Sequence, residues 1–366
     1  MGKRKLGVAF VCPWDTLSGT ALQFRQMITY LSNEVDLKVF SEDNPKIAPI
    51  STPLGIPWEK CWSRKFDNLT FLIKKLSEFK PDIVHLIHES NWFGVDHRLR
   101  QLSRWSLDNN VKLIIQFESP MPQWMDYFSS LECAGYISSS YPEEVLTLTD
   151  LGLNNITYIP KPIIEGEMIP KEEAKRILKL RGKTILLNTG FQRNASGYSD
   201  IVQGILPILK SNPNLVFIAA GCEHYDEPEP SKYRDDAMRI ARKYKIDKQV
   251  IFTNKFHSEK ELFTYGSASD IYIHYRKNAA FFFASGSIGR AFSFEIPAVA
   301  YDHPSLDDIQ KGMIRVHSPS ELDLGIRLLL ANPKLYTELK EESIEIKKER
   351  SPLNISKKVL KFYGRI

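Results

Sequence analysis

The chain has 366 residues, enough for two domains of about 150 residues each, and its 49 basic and 44 acidic side chains leave a net charge of only +5. Hydrophobic residues make up 43% and aromatic residues 11% of the chain, which excludes a disordered, collagen-like or fibrous protein. The small net charge neither requires nor forbids an anionic partner, and no nucleic-acid-binding motif occurs, so we expect no nucleic-acid partner.

The cysteines and the apolar runs bear on the cellular location. The four cysteines, Cys12, Cys61, Cys133 and Cys222, have no zinc-binding spacing, which favours free thiols in a reducing compartment. The apolar run in MGKRKLGVAFVCPW is too short for a signal peptide. No stretch reaches the roughly eighteen apolar residues of a spanning helix. We therefore expect a cytoplasmic protein, with any membrane association peripheral and at the inner face.

Short apolar runs alternate with segments of helical period, which predicts an α/β protein built on buried parallel sheets. In the first half, helical period is seen in residues 17–31 and 69–79. Three prolines and a glycine between Pro160 and Pro170 are typical of an interdomain connector. The strands predicted in the first half are Leu6–Val11, Asp36–Phe40, Ile83–Ile87, Lys112–Phe117, Gly135–Ser138 and Ile156–Ile159.

The second half repeats the pattern. Predicted helices lie at 201–209, 231–245, 258–267, 286–294, 318–331 and 333–349, and a final one at Leu353–Tyr363. The strands predicted there are Thr184–Thr189, Leu215–Ala219, Gln249–Phe252, Asp270–Ile273 and Ala298–Ala300. This predicts two tandem doubly wound, Rossmann-like domains facing a cleft: residues 1–160 and 161–350, with residues 351–366 packing back on the first.

Ligands of open α/β sheets bind beyond the carboxyl ends of the strands, so we sought functional residues in the loops that follow strands. In the first half, Ser18 and Gly19 precede a helix and are either anion or sugar contacts or a tight turn with a helix cap. His88 and Glu89 either contact an acceptor or pack in the fold. Glu118 either orients an acceptor hydroxyl, acts as a base, or is a hydrogen-bonded structural carboxylate.

No metal site is predicted from HLIHESNWFGVDH in the first half. Side chains alternate across a strand, so His85 and His88 fall on opposite faces.

In the second half, the turn TGFQRNASGY is suited to a phosphate. Gly190, Asn194 and Ser196 would line it and Arg193 would supply the cation, although an ordinary polar turn is the alternative. A later strand ends in Arg276 and Lys277.

The small residues Ser285, Gly286 and Ser287 then open a helix, as a diphosphate site requires. The alternative is that Ser285 only caps that helix.

The segments KPDIVHLIH, IPKPI, the Gly190 turn, SASDIYIHY and FEIPAVAYD together resemble the GT-B glycosyltransferases of the retaining, glycogen-synthase-like type, over nearly the whole chain. The resemblance implies a nucleotide sugar on the second half, a glycan or glycolipid acceptor on the first, no cofactor and no metal. It implies that the backbone around Lys255 and Phe256 holds the base. Arg193 and Arg290 are the candidates for stabilising the departing diphosphate.

The chain departs from the pattern of this family at its charged positions. Phe191 and Ser196 stand where the family has arginine and lysine, Phe282 and Arg290 where it has two glutamates, and Glu295 where it has glycine. Glu118 replaces a histidine. The losses indicate either an active enzyme with replacement cations or a catalytically silent subunit that binds a carbohydrate or a partner enzyme.

We predict the active glycosyltransferase. A nucleotide-sugar epimerase would need paired carboxylates and a histidine that the sequence does not assemble.

Tryptophans beside basic residues can mark a membrane surface or an anionic acceptor site, but here a solvated basic face is the favoured interpretation. These residues are Trp58, Trp62, Arg64 and Lys65 in a predicted loop, and Arg98, Arg100, Arg104 and Trp105 on a predicted helix.

Overall fold

The computed structural model describes residues 4–15, 19–43, 55–223, 229–276 and 285–366. Contacts divide the chain into two compact units. The first includes Met1–Ile164 and Arg350–Ile366, so the end of the chain belongs with its beginning, and the second comprises Glu165–Ala280 and Ser285–Glu349. No helix within the described ranges is long and apolar enough to cross a membrane.

The first unit is built on a seven-stranded parallel sheet with the order β3-β2-β1-β4-β5-β6-β7. Sequences such as GVAFV and IVHLIH are buried along their whole length, as expected for strands covered on both faces. The strands are β1 (Gly7–Val11), β2 (Asp36–Glu42), β3 (Trp58–Trp62), β4 (Ile83–His88), β5 (Lys112–Phe117), β6 (Gly135–Ser138) and β7 (Ile156–Tyr158).

Helices cover this sheet, and the last helix of the chain, α15 (Pro352–Tyr363), packs against α1 (Gly19–Glu34). The buried face of α15 includes Ile355, Val359 and Phe362, spaced by four and three residues. The other helices of this unit are α2 (Thr70–Phe79), α3 (Ser90–Phe93), α4 (His97–Asp108), α5 (Met125–Ser129) and α6 (Pro142–Asp150).

The second unit has a six-stranded parallel sheet with the order β10-β9-β8-β11-β12-β13, in which the direction of winding reverses between β8 and β11. The strands are β8 (Thr184–Thr189), β9 (Leu215–Ala220), β10 (Val250–Phe252), β11 (Ile271–His274), β12 (Ala298–Tyr301) and β13 (Met313–Val316). The helices are α7 (Lys171–Ile177), α8 (Tyr198–Gly204), α9 (Leu206–Ser211), α10 (Pro230–Lys243), α11 (Glu259–Ala268), α12 (Ile288–Ser293), α13 (Glu321–Ala331) and α14 (Pro333–Glu349).

The predicted α/β class and every predicted strand are confirmed, but the edge strands β3 and β13 were missed. The helix predicted over residues 201–209 is two helices, because Pro207 lies in the first turn of α9 and cannot donate a helical hydrogen bond. The helix predicted at 286–294 is shorter, since α12 covers only Ile288–Ser293.

The tryptophans predicted to lie in a surface loop belong to β3. Trp62 is 1% exposed, and its indole N–H donates to the Phe40 carbonyl at 2.8 Å. The neighbouring Arg64 lies 2.6 Å from the buried carboxylate of Glu42. On α4, the mostly buried Arg98 pairs with Asp96 at 2.7 Å. Trp62, Arg64 and Arg98 therefore stabilise the fold and do not form an exposed basic face.

Candidate functional site

The turn after β8 brings an arginine to the carboxyl edge of the second sheet. Gly190 and Gly197 have φ angles of 130° and 57°, which residues with a side chain adopt only with strain. The turn also touches its neighbour closely, because a Cβ atom on Gly221 would lie 1.8 Å from the Gly190 carbonyl oxygen. Arg193 leaves this compact turn in an extended conformation, with φ −142°.

Arg276 follows the adjacent strand β11 and lies close to Arg193. Burial and the positive charge of Arg193 lower the pKa of Arg276 to about 10, so Arg276 still carries its charge at neutral pH. Burial, together with nearby Arg276 and His303, lowers the pKa of His274 at the end of β11 to about 3. Basic groups held together on neighbouring strand ends create a positive potential that attracts an anion.

The predicted phosphate contacts Asn194 and Ser196 lie in a short 3-10 turn after Arg193. The Ser196 hydroxyl donates to the Phe191 carbonyl at 2.9 Å, so it stabilises the turn itself. The side chain of Asn194 is exposed. Of these two residues, Asn194 is the one that presents its polar group to solvent.

The Ser285–Ser287 segment has a local role that the sequence did not reveal. The hydroxyls of Ser285 and Ser287 lie 3.4 and 3.1 Å from the two ring nitrogens of His274, and 3.1 Å from each other. The following helix α12 has only six residues, and Gly286 is exposed. Both hydroxyls are therefore bound to the end of β11. Lys277, predicted beside them, lies outside the described residues.

Arg290, predicted as a phosphate cation, makes a two-point ion pair. Its terminal nitrogens donate to Glu259 Oε2 and Oε1 at 2.5 and 2.8 Å, the strong geometry for arginine and a carboxylate. Glu259 begins α11, far from Arg290 in sequence. Glu259 thus neutralises the charge that sequence analysis assigned to a diphosphate.

Lys255 and Phe256 lie in the loop after β10. The Lys255 backbone N–H donates to the Gly221 carbonyl at 3.1 Å, and its ammonium group lies 2.6 Å from a carboxylate oxygen of Glu261. The Phe256 ring is 39% exposed. The loop therefore presents an aromatic face beside the Gly221 turn, where a flat base can stack.

At the carboxyl edge of the first sheet lies a buried ion pair. Glu118 follows β5, and its Oε2 lies 2.8 Å from Nζ of Lys161, which follows β7. A buried charge is tolerated when it is paired in this way. Glu118 Oε1 has no hydrogen-bond partner among the described residues, so this oxygen can accept a hydrogen bond from a ligand.

A second carboxylate, Glu144 in the first turn of α6, lies beside this pair. Burial raises the pKa of Glu144 to about 7, while the hydroxyls of Ser138 and Ser140 and the charge of Lys161 act in the opposite direction. The Ser138 hydroxyl donates to Glu144 Oε2. Glu144 and Lys161 were not among the residues predicted from the sequence, because their nearness to Glu118 depends on the order of β5, β6 and β7. The one local signal was the lysine between two prolines.

His88 and Glu89 lie where β4 ends. Burial lowers the pKa of His88 to about 4, and its Nε2 lies 3.2 Å from the Gly94 carbonyl oxygen, which fixes the proton of the neutral ring on Nε2. Glu89 is half-buried before α3. Gly19 is the first residue of α1, and Ser18 lies outside the described residues. Within the described part of the chain, no three His, Cys, Asp or Glu side chains are grouped to hold a metal ion.

His85 belongs to a buried hydrogen-bond chain below the same edge. The Tyr363 hydroxyl lies 2.7 Å from His85 Nδ1, Gln116 Oε1 lies 2.9 Å from His85 Nε2, and Gln116 Nε2 donates to Ser139 Oγ at 2.8 Å. Burial lowers the pKa of His85 to about 3, so the ring is neutral. Tyr363 then donates to Nδ1 and His85 donates to Gln116, which connects α15 to the end of β6.

No protein-family model matches the chain, and no curated protein matches it in sequence. Solved structures match it nearly end to end. HepE from Anabaena, solved in complex with UDP, has a TM-score of 0.77 at 12% identity, covering 99% of this chain and 100% of its own. Sucrose-phosphate synthase from Thermosynechococcus elongatus has a TM-score of 0.69 at 14% identity, covering 98% of both chains. UDP-forming α,α-trehalose-phosphate synthase from Burkholderia xenovorans gives 0.70 at 12%, again covering 98% of both.

The chain has the GT-B fold. The similarity over both units and the two parallel sheets confirm the fold predicted from the sequence. At 12–14% identity the likeness is one of fold, so the chemistry must be argued from the side chains of this chain.

Proposed function

We propose that this protein is a glycosyltransferase that moves a sugar from a nucleotide-sugar donor to a hydroxyl of a glycan or glycolipid acceptor. The observation that carries the proposal is that two arginines, Arg193 and Arg276, lie near each other at the carboxyl ends of β8 and β11. The winding of the second sheet reverses between these two strands, the position at which open α/β sheets bind their ligands.

The reaction requires the departing nucleoside diphosphate to be stabilised as negative charge develops on it. Arg193 and Arg276 supply two guanidinium groups that are already in place, and such preorganised donors contribute more than groups that must reorient. Phe256 would stack on the base, and Gly190 and Asn194 would contact the phosphates. Lys255, Ser285, Gly286, Ser287 and Lys277 remain predicted donor contacts, although the Ser285 and Ser287 hydroxyls would have to exchange their bonds to His274.

On the first unit, Glu118 would accept a hydrogen bond from the acceptor hydroxyl through Oε1, with Glu89, His88, Ser18 and Gly19 as further predicted acceptor contacts. We propose a reaction that needs neither a metal nor a cofactor and retains the anomeric configuration, both of which rest on the family resemblance. A cytoplasmic protein with peripheral contact at the inner membrane face would suit a glycolipid acceptor.

The first donor to test is UDP-glucose, because HepE was solved with UDP-glucose and with UDP and glucose. Calorimetry should include the GDP, ADP and dTDP sugars, each with and without magnesium. We expect saturable binding without metal, and a loss of about tenfold to a hundredfold in Arg193→Ala and Arg276→Ala, as for other charge-assisted contacts to phosphate.

The matched control is Arg181→Ala, because Arg181 is exposed just before β8, at the opposite edge of the same sheet. Its removal should leave donor binding unchanged. If the folded wild type binds none of the donors, or if Arg181→Ala weakens binding as much as Arg276→Ala does, the proposed donor site is wrong. Donor binding without turnover on any acceptor would favour the silent subunit.

Arg290→Ala separates two roles for this residue. Because Glu259 already neutralises its guanidinium group, we expect Arg290→Ala to weaken donor binding less than Arg276→Ala does. An equal loss in both variants would show that Arg290 contacts the diphosphate despite its pairing. Thermal unfolding of each variant controls for loss of the ion pair itself.

A further inference from the structure

Three basic side chains near the strand ends of the first sheet are matched by carboxylates. Arg64, after β3, pairs with Glu42 at 2.6 Å, and Lys161, after β7, pairs with Glu118 at 2.8 Å. Arg98, near the amino end of α4, is held by Asp96. A phosphate could reach any of these three cations only by displacing the carboxylate that holds it.

Buried hydrogen-bond acceptors are left unpartnered at this edge, together with one donor, the indole N–H of Trp14 after β1, and the hydroxyl of Ser140 after β6, which can do either. Oε1 of Glu118 and Nδ1 of His88 have no hydrogen-bond partner in the described part of the chain, and both residues are at most 1% exposed. Because Nε2 of His88 carries the proton, Nδ1 offers a lone pair. A buried acceptor without a donor costs about 1 to 3 kcal/mol, so these atoms favour a ligand that brings donors.

The two sheets therefore differ in the charge that they offer a ligand. The second presents Arg193 and Arg276 close together at adjacent strand ends. The first presents the carboxylate of Glu118 against the ammonium group of Lys161, with the buried Glu144, whose pKa is raised to about 7, beside them. A hydroxyl group donates a hydrogen bond without adding charge, whereas a phosphate adds two negative charges and brings mainly acceptors.

We propose that the carboxyl edge of the first sheet takes a neutral, hydroxyl-bearing acceptor and rejects a phosphorylated one. Glu118 Oε1 makes the contact, and Lys161 is a positioning residue that holds Oε2 and leaves Oε1 to the ligand. This deepens the proposed function and rests on it for the role of the ligand as acceptor.

The test compares glucose with glucose 6-phosphate and mannose with mannose 6-phosphate, in binding to the full chain and in UDP release from UDP-glucose. Tryptophan fluorescence suits the binding arm, because all six tryptophans lie between Trp14 and Trp124 in the first unit. We expect the neutral sugars to bind at least about tenfold more tightly, because a phosphate would lie beside the Glu118 carboxylate while Lys161 is already paired with it. Tighter or equal binding of the phosphates, or no binding of any probe, overturns the proposal.

Glu118→Gln supplies the sharper test, because it removes the carboxylate charge that faces Lys161 while keeping the shape of the side chain. The preference should shift by about tenfold toward the phosphorylated sugar. The double variant Glu118→Gln/Lys161→Met removes both charges, so it should still reject phosphate, and it remains informative if the single variant does not fold. Glu143→Gln, an exposed neighbour of Glu144, is the matched control and should keep the wild-type preference.

An unchanged preference in folded Glu118→Gln, or a preference for phosphate in the double variant, overturns the proposal. UDP binding to the wild type and to Arg276→Ala is measured separately, so that failure of this inference can be distinguished from failure of the proposed function. If UDP does not bind but the neutral sugar is still preferred, the enzyme assignment fails and the charge preference of the first unit stands. If UDP binds and the phosphorylated sugar is preferred, this inference alone fails.

Discussion

Glu144→Gln should stabilise the first unit, and the gain should grow as the pH rises. Burial raises the pKa of Glu144 from 4.5 to about 7, so the folded protein binds this proton more tightly than the unfolded chain does. The wild type therefore has the full stabilising contribution of the protonated group below pH 4.5 and loses it as the pH rises through about 7. Glutamine fills the same space and cannot ionise.

The magnitude follows from the two pKa values. Their difference is about 2.5, and each pKa unit corresponds to about 1.4 kcal/mol, so full ionisation costs the folded wild type about 3 kcal/mol. At pH 5 the unfolded chain is already partly ionised, which leaves about 2 to 3 kcal/mol between pH 5 and pH 8. The difference in the free energy of unfolding between Glu144→Gln and the wild type should therefore be larger at pH 8 than at pH 5 by about 2 to 3 kcal/mol.

The assay is urea unfolding followed by tryptophan fluorescence at several pH values. Because all six tryptophans belong to the first unit, the signal reports the unit that contains Glu144. Glu143→Gln is the control, since Glu143 lies in the same first turn of α6 but is exposed. If the stability profiles of wild type and Glu144→Gln run parallel from pH 5 to pH 8, Glu144 is not held neutral by burial and the reasoning is refuted.

Three further substitutions test the local geometry by unfolding experiments. Gly221→Ala places a Cβ atom 1.8 Å from a carbonyl oxygen, so it should destabilise the second unit by about 3 kcal/mol. The control Gly289→Ala meets no atom within 4 Å and should be tolerated. Equal melting temperatures of the two variants in circular dichroism would contradict this expectation. Glu295 has φ 55°, so Glu295→Gly should be about 1 kcal/mol more stable than Glu295→Ala, and the reverse order would exclude strain there. Tyr363→Phe removes the hydrogen bond to His85 and should cost the first unit about 1 to 2 kcal/mol in urea; no loss would mean that this bond contributes nothing.

The central strands could be predicted because each forms a continuous buried apolar run that is visible in the sequence. The strand β3, with the sequence WEKCW, is interrupted by two adjacent charged residues, and β13 carries an arginine, so neither is a continuous apolar run. Both lie at sheet edges, where one side of the backbone has no neighbouring strand. What made them strands was pairing with β2 and β12, a tertiary interaction.

The candidate site likewise combines residues that could be recognised from the sequence with contacts that could not. The sequence alone determined that Arg193, Arg276 and Glu118 follow strands, because strand and loop alternate with a local period. Only the tertiary structure decided which charges meet: Glu259 lies 31 residues from Arg290 in sequence, and Lys161, after β7, reaches Glu118, after β5, past the strand β6 between them. Periodicity reports what each segment buries, whereas the partner of a buried charge depends on strand order, and strand order is fixed only when the whole sheet has formed.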